Sequence, residues 1–230
     1  MKKSARGRWL HPEKSMFFFP LSLLYWEVVF RLGVYHAFPQ LGLSGVCTLL
    51  FSVGLGGFFC LMTTLCKPRT NRIVTICLTL LLTLFYLLLM LYHGQYGAFP
   101  NLGDSSWLVQ VFRHPQQLGA AVMDCIFPLI ALFLPLLIVS FADLFSLSFA
   151  PPSWPGRAGL LAWTLLFHAS GLVVLFLLGS EELRTVYQSG CLAGQPLGEA
   201  AVDSFGLLTA LRLYLKSLWG FPWTVTLPRL

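Results

Sequence analysis

The sequence predicts an all-α polytopic membrane protein with five transmembrane helices and an external amphipathic helix after them. Three observations carry this. The chain is 57% hydrophobic and only 10% charged, where an ordinary soluble domain has about 25% charged residues, and its mean hydropathy is +0.75. The run 73–92, IVTICLTLLLTLFYLLLMLY, contains no charge, proline or glycine, and at about 1.5 Å of rise per residue it makes a helix of roughly 30 Å, the hydrocarbon thickness of a bilayer. Lys67, Arg69 and Arg72 precede that run, and no lysine or arginine follows it until Arg113. The excess of basic residues on cytoplasmic segments places its start inside.

The elements follow from this one orientation. Residues 1–15 hold Lys2, Lys3, Arg6, Arg8 and Lys14 against Glu13 and read as a cytoplasmic basic tail. The five-helix membrane domain covers 16–180. Its first span, 16–34, carries Glu27 and Arg31 and lacks a small-residue cleavage site, so it reads as a retained helix rather than a signal peptide. It ends outside at an aromatic cluster, Tyr35, His36 and Phe38, suited to the headgroup region.

The second span, 41–66, holds Gly54, Gly56 and Gly57 near its middle, where small residues let another helix approach closely. The third is 73–92. In the loop after it, WLVQVFR at 107–113 is too short to cross and is expected to lie in the interface. The fourth span, 119–147, contains Pro128 and Pro135, each of which should bend the helix unless a neighbour compensates for the missing N–H. The prolines of APPSWPG, 150–156, form a cytoplasmic turn before the fifth span, 157–180.

Five crossings from an inner N-terminus leave 181–230 outside the cell membrane. The basic residues agree, since Lys67, Arg69, Arg72 and Arg157 join the N-terminal group on the inner side, and Arg113, Arg184, Arg212, Lys216 and Arg229 fall on the outer. Within the tail, 203–219 places Thr209, Arg212 and Lys216 on one helical stripe with apolar residues around the rest. This reads as an amphipathic helix on the outer surface.

Ionisable residues at membrane depth are costly and therefore either paired or functional. Glu27 and Arg31 stand one helical turn apart, so they form either a structural pair or a lipid-headgroup site. Arg113 and Arg212 are the further candidates for an anionic phospholipid headgroup. His36, His93 and His114 fall on the outer side without the spacing of metal ligands, and His168 reads as a helix–helix hydrogen bond. No metal site, cofactor motif, phosphate loop or nucleophile elbow is present, so no catalytic residue is assigned. The basic residues are dispersed beside apolar runs, which excludes nucleic acid as partner and leaves membrane lipids. Cys47, Cys60, Cys77 and Cys125 lie within apolar runs, and no CxxC pair occurs.

Two stretches carry a resemblance. FFFPLSLLYWEVVFRLG, with its E-x-x-x-R, followed by a second span that ends in CKPRTNRIV, resembles the membrane part of the lipoteichoic acid synthase family of Gram-positive bacteria, the phosphoglycerol transferase or sulfatase-like family. FGLLTALRLYLK resembles the segment that this family carries between its fifth helix and its external enzyme domain. The best-matching positions are Glu27, Arg31, Phe205, Gly206, Leu207, Leu208, Thr209 and Arg212. The resemblance implies a membrane anchor of the cell envelope. In the family an external domain with a threonine nucleophile and bound manganese moves glycerol phosphate from phosphatidylglycerol to a polymer, and none of those catalytic residues carries over to a position here. The chain by itself is thus expected to be inert, with a separately encoded external sulfatase-like domain as a partner if it is the product of a split synthase gene. A reading from another class is a small multi-pass lipid or solute transporter of flippase type, with the interrupted fourth helix and the Glu27 and Arg31 charges as its moving parts.

Overall fold

A computed structural model describes residues 14–37, 42–142, 152–189 and 195–218. Residues 1–13 of the 1–15 basic tail, Cys191 and the chain beyond Leu218 lie outside the described residues. Among those described, every regular element is helical: α1 (Phe18–Tyr35), α2 (Leu43–Met62), α3 (Pro68–Tyr96), α4 (Ser106–Arg113), α5 (Pro115–Asp124), α6 (Ile126–Ala131), α7 (Leu134–Ser140), α8 (Trp154–Val173, continued by a π turn to Leu178), α9 (Glu181–Ser189), α10 (Glu199–Phe205) and α11 (Leu207–Leu218). Four helices, α1, α2, α3 and α8 with its π turn, are long and apolar enough to cross a membrane, and α5 to α7 make a fifth if the bent pair is one span. Leu21, Leu81, Phe127 and Leu177 are among the exposed large apolar side chains on these helices, as expected where the solvent is lipid.

α3 is longer at both ends than the apolar run 73–92. Pro68 suits a first helical turn, whose N–H groups have no partner in any case, and Gly97 ends the helix in the left-handed region at φ 66°, its N–H bonded to His93 O. The added turns hold α4. Tyr96 donates to Gln110 O at 3.1 Å and Gln95 to Val111 O at 3.1 Å, while Trp107 and Val111 are buried. The segment 107–113 therefore packs on α3 as well as being too short to cross. Asp104 caps its start, accepting from the Ser106 amide at 2.9 Å and hydroxyl at 2.7 Å, and these bonds hold its carboxyl below the usual carboxylate range.

The glycines of the second span make close helix contacts. A Cβ built on Gly57 would lie 2.8 Å from Thr164 Oγ1 of α8, and one on Gly56 would lie 2.5 Å from the Pro20 backbone of α1. Gly56→Leu is expected to force α1 from α2, and overpacking of this kind lowers stability by about 1–3 kcal/mol. A melting temperature in detergent equal to that of the parent would show that α1 does not pack on this glycine.

The two prolines of the fourth span behave differently. Pro128 leaves the Asp124 carbonyl without its helical donor, and the chain bends by 80° between Pro115–Asp124 and Ile126–Ser140. Pro135 leaves the Ala131 carbonyl in the same state, but Tyr25 of α1 donates its hydroxyl to that oxygen at 2.9 Å, and Trp26 Nε1 donates to the next carbonyl, Leu132 O, at 2.9 Å. A neighbour thus compensates at the second proline, and α6 and α7 run on together there. Pro128 lies beside Gly33 and Leu132 beside Trp26, so this segment descends antiparallel to α1.

The tail departs from its expected form. A single surface helix over 203–219 is expected, but the chain breaks at Gly206 into α10 and α11. Leu207, Leu208, Thr209, Ala210, Leu213 and Tyr214 are buried, Thr209 included, although it is expected on the polar stripe. The pair is built into the bundle because α1, α2 and α8 leave room for it: Phe51 of α2 meets Phe205, and Tyr187 of α9 meets Phe205, edge to face with ring centroids 6.3 and 5.3 Å apart.

Candidate functional site

α11 begins level with the middle of α1, in the interior of the bundle. A helix that starts there has N–H groups with no intrahelical acceptor, and at membrane depth no water is available to take them. Glu27 supplies the acceptor. Its Oε2 accepts from Leu207 N at 3.1 Å and its Oε1 from Leu208 N at 3.5 Å, while Tyr86 of α3 donates its hydroxyl to Oε1 at 2.7 Å. Glu27 and Tyr86 are 4% and 0% exposed, and the Tyr86 ring stacks on Trp26 with centroids 5.8 Å apart.

The chain reaches this position through Gly206, at φ +81° and ψ 160°. A Cβ there would lie 2.8 Å from Glu27 Oε2, so both the backbone conformation and the approach of the carboxylate require glycine.

Arg31 serves the other side of the same break. Its Nη1 donates to Asp203 Oδ1 at 2.9 Å and its Nη2 to the Asp203 carbonyl, and Thr48 Oγ1 of α2 donates to Ser204 O at 3.2 Å. Both carbonyls belong to the last turn of α10. A helix is partially negative at its C-terminus and partially positive at its N-terminus. Arg31 faces the end of α10, and Glu27, one turn earlier in α1, faces the start of α11. The E-x-x-x-R spacing matches two helix ends that meet at one glycine.

This corrects the expected Glu27–Arg31 pair. Among the described residues the ion-pair partner of Arg31 is Asp203, and Glu27 takes neutral donors. Asp203 and Tyr86 escape a reading of the sequence. Asp203 stands far along the chain in a polar stretch, and Tyr86 is one tyrosine in an apolar run, with no local signal that it faces a carboxylate. Glu199, one turn before Asp203, lies 3.4 Å from His93 Nε2 of α3, so the acidic face of α10 meets both α1 and α3.

Arg113 is exposed on α4. Arg212 of α11 lies among α2, α8 and α9, with Nη2 donating to Tyr187 Oη at 2.8 Å, Nη1 against the His168 imidazole, and the guanidinium 5.4 Å from the Phe51 ring centroid. His168 does make a contact between helices, as expected. Further along α11, Tyr214 Oη donates to Asn101 Oδ1 at 2.7 Å and accepts from Gly103 N at 2.8 Å, which ties the helix to the loop before α4. His36, His93 and His114 do not converge, and among the described residues no three His, Cys, Asp or Glu side chains form a metal-binding group.

Beside the Arg31–Asp203 pair is a cavity of about 350 Å³ lined by Arg31, Tyr35, Ala37, Ser44, Glu199, Ala200 and Asp203. Arg31 Nε and Tyr35 Oη, on two of these residues, are buried without a hydrogen-bond partner among the described residues. The charges of α1 thus hold an inserted helix pair in place. No family model, curated protein or solved structure matches the chain.

Proposed function

We propose that this chain is a membrane-anchoring domain of the kind found in lipoteichoic acid synthase-like phosphoglycerol transferases, holding an extracytoplasmic catalytic partner against the outer leaflet. One observation supports this above the others: Glu27 and Arg31 clasp both sides of the Gly206 break, so α10 and α11 are built into the bundle rather than tethered to it. A domain joined to or bound by α11 is then fixed in height and orientation relative to the lipid surface. A flexible tether gives no such control. The sulfatase-like partner, the external C-terminus and the cell-envelope setting all belong to this proposal. Arg212, whose described partners are neutral, is the arginine best suited to an anionic lipid.

The 80° bend before Pro128 favours a second reading, a small lipid flippase. One experiment separates the two. The anchor reading expects a phosphatase reporter fused after Leu230 to be active outside the cell, and proteoliposomes of the purified chain to translocate fluorescent lipid no faster than protein-free liposomes. Reporter activity confined to the cytoplasm would remove the anchor reading, and rapid translocation would replace it with the flippase.

A further inference from the structure

We infer that α4 and α5 form a surface that docks on a phospholipid leaflet, with Val109, Phe112 and Met123 at its acyl boundary and Arg113 at its phosphates. The inference needs the spans to lie in a bilayer but does not rest on the anchoring role.

The level of the two helices follows from what they touch. α4 is held by Tyr92, Gln95 and Tyr96, in the last turns of α3. A Cβ built on Gly94, in the same turns, would lie 3.2 Å from Ala121 Cβ of α5, and one on Gly33, near the end of α1, would lie 3.2 Å from Pro128. Leu132 O accepts from Trp26, about two turns deeper in α1. The chain therefore enters the bundle at Ile126, from the end where α1 and α3 finish, and only α6 and α7 descend. α5 meets them at 80°, so it lies across that end, in the plane of the bilayer surface. The bend is a corner at that surface rather than a hinge at membrane depth.

Each helix divides its side chains three ways. At about 100° per residue, Trp107 and Val111 of α4 share one side and are buried. Leu108, Val109 and Phe112 lie about a third of a turn further round, with Val109 71% and Phe112 60% exposed. Ser106 and Arg113 occupy the remaining side and are exposed. α5 repeats the pattern, with Ala121 and Val122 packed inward, Gly119 and Met123 on the second side and Gln117 and Asp124 on the third.

A helix on the water-facing surface of a protein needs one apolar side only. Separate sides for protein, lipid and water suit a helix that lies in the interface of a bilayer against a bundle. Two further observations assign the second side to lipid. Phe127 and Ile130 of α6 continue the exposed apolar surface from Met123 down the span, so the patch is continuous with the lipid-facing wall. Arg113 borders Val109 on the polar side of α4, where an arginine lays its apolar stem along the leaflet and sets its guanidinium among the phosphates.

The test is spin labelling of the full chain in nanodiscs of phosphatidylcholine and phosphatidylglycerol. Labels are placed by Val109→Cys, Phe112→Cys, Gln117→Cys, Met123→Cys and Ile130→Cys, one at a time, with Cys66, Cys77 and Cys191 replaced by serine and the buried cysteines left in place. Collision with oxygen, which concentrates in lipid, is compared with collision with a water-soluble nickel chelate. The oxygen-to-nickel ratio should be several-fold higher at positions 109, 112 and 123 than at 117, and highest at 130. A ratio favouring nickel at 109 and 112 would put the surface in water, and low collision with both reagents would give it to a protein neighbour. Either result overturns the inference. A ratio at 117 as high as at 130 would place α5 at membrane depth and overturn the corner. Arg113→Glu should lower the ratio at 112 several-fold while Arg113→Lys retains it, and an unchanged ratio in Arg113→Glu would overturn the phosphate contact.

Discussion

Glu27→Leu is expected to release α11 from the bundle. The substitution strands the Leu207 and Leu208 amides and the Tyr86 hydroxyl in a buried setting. Each unsatisfied buried group costs roughly 1–3 kcal/mol, and the substitution leaves all of these neutral donors unpaired at once. That is a large share of a total stability of about 5–15 kcal/mol. The measurement is maleimide labelling at Ala210→Cys, a position 0% exposed on α11, with Cys66, Cys77 and Cys191 replaced by serine. The site should be protected in the parent and labelled in the Glu27→Leu variant. Glu27→Gln retains one acceptor oxygen and should fall between them. Protection that persists in Glu27→Leu would mean that apolar packing alone seats α11.

Gly206→Ala should have an effect of the same order by the opposite route. At φ +81° and ψ 160° the backbone occupies a region essentially restricted to glycine, with a cost of about 1–3 kcal/mol for another residue. The added methyl also enters the space held by the Glu27 carboxylate, 2.8 Å away. The two substitutions act on one contact, so their effects should not add. In a Glu27→Ala background the methyl has room, and Gly206→Ala should then lower the melting temperature by clearly less than in the parent. Strict additivity would show that the carboxylate and the glycine are not one unit.

These expectations depend on residues that a linear reading finds unevenly. Glu27 and Arg31 stand out at once, because charges inside an apolar run are expensive and therefore informative. Their roles do not follow from that. Spacing of one turn fits a mutual pair, and it fits equally well two helix ends of opposite sign brought to one helix face. The difference lies in Gly206, 179 residues after Glu27, whose part in the contact shows only in its φ and its approach to the carboxylate. Pro128 and Pro135 show the same limit. Both break the helical hydrogen-bond ladder by their covalent structure, yet only the first bend is large, since Tyr25, distant in the chain, donates to the carbonyl that the second leaves open.

The sequence by itself determined the all-helical class, the membrane setting and the approximate helices long enough to cross, because those depend on the length and apolarity of contiguous runs, a local property. It also marked the glycines of α2 as close-packing positions, for the same reason. Only the tertiary structure decided that the amphipathic tail is two helices inside the bundle, that Arg31 pairs with Asp203, and that a polar cavity opens beside them. An amphipathic pattern shows that one face of a helix seeks apolar surroundings. Whether lipid or protein supplies them depends on the space left between α1, α2 and α8 and on a carboxylate placed to receive the helix N-terminus, and both arise only when distant segments meet.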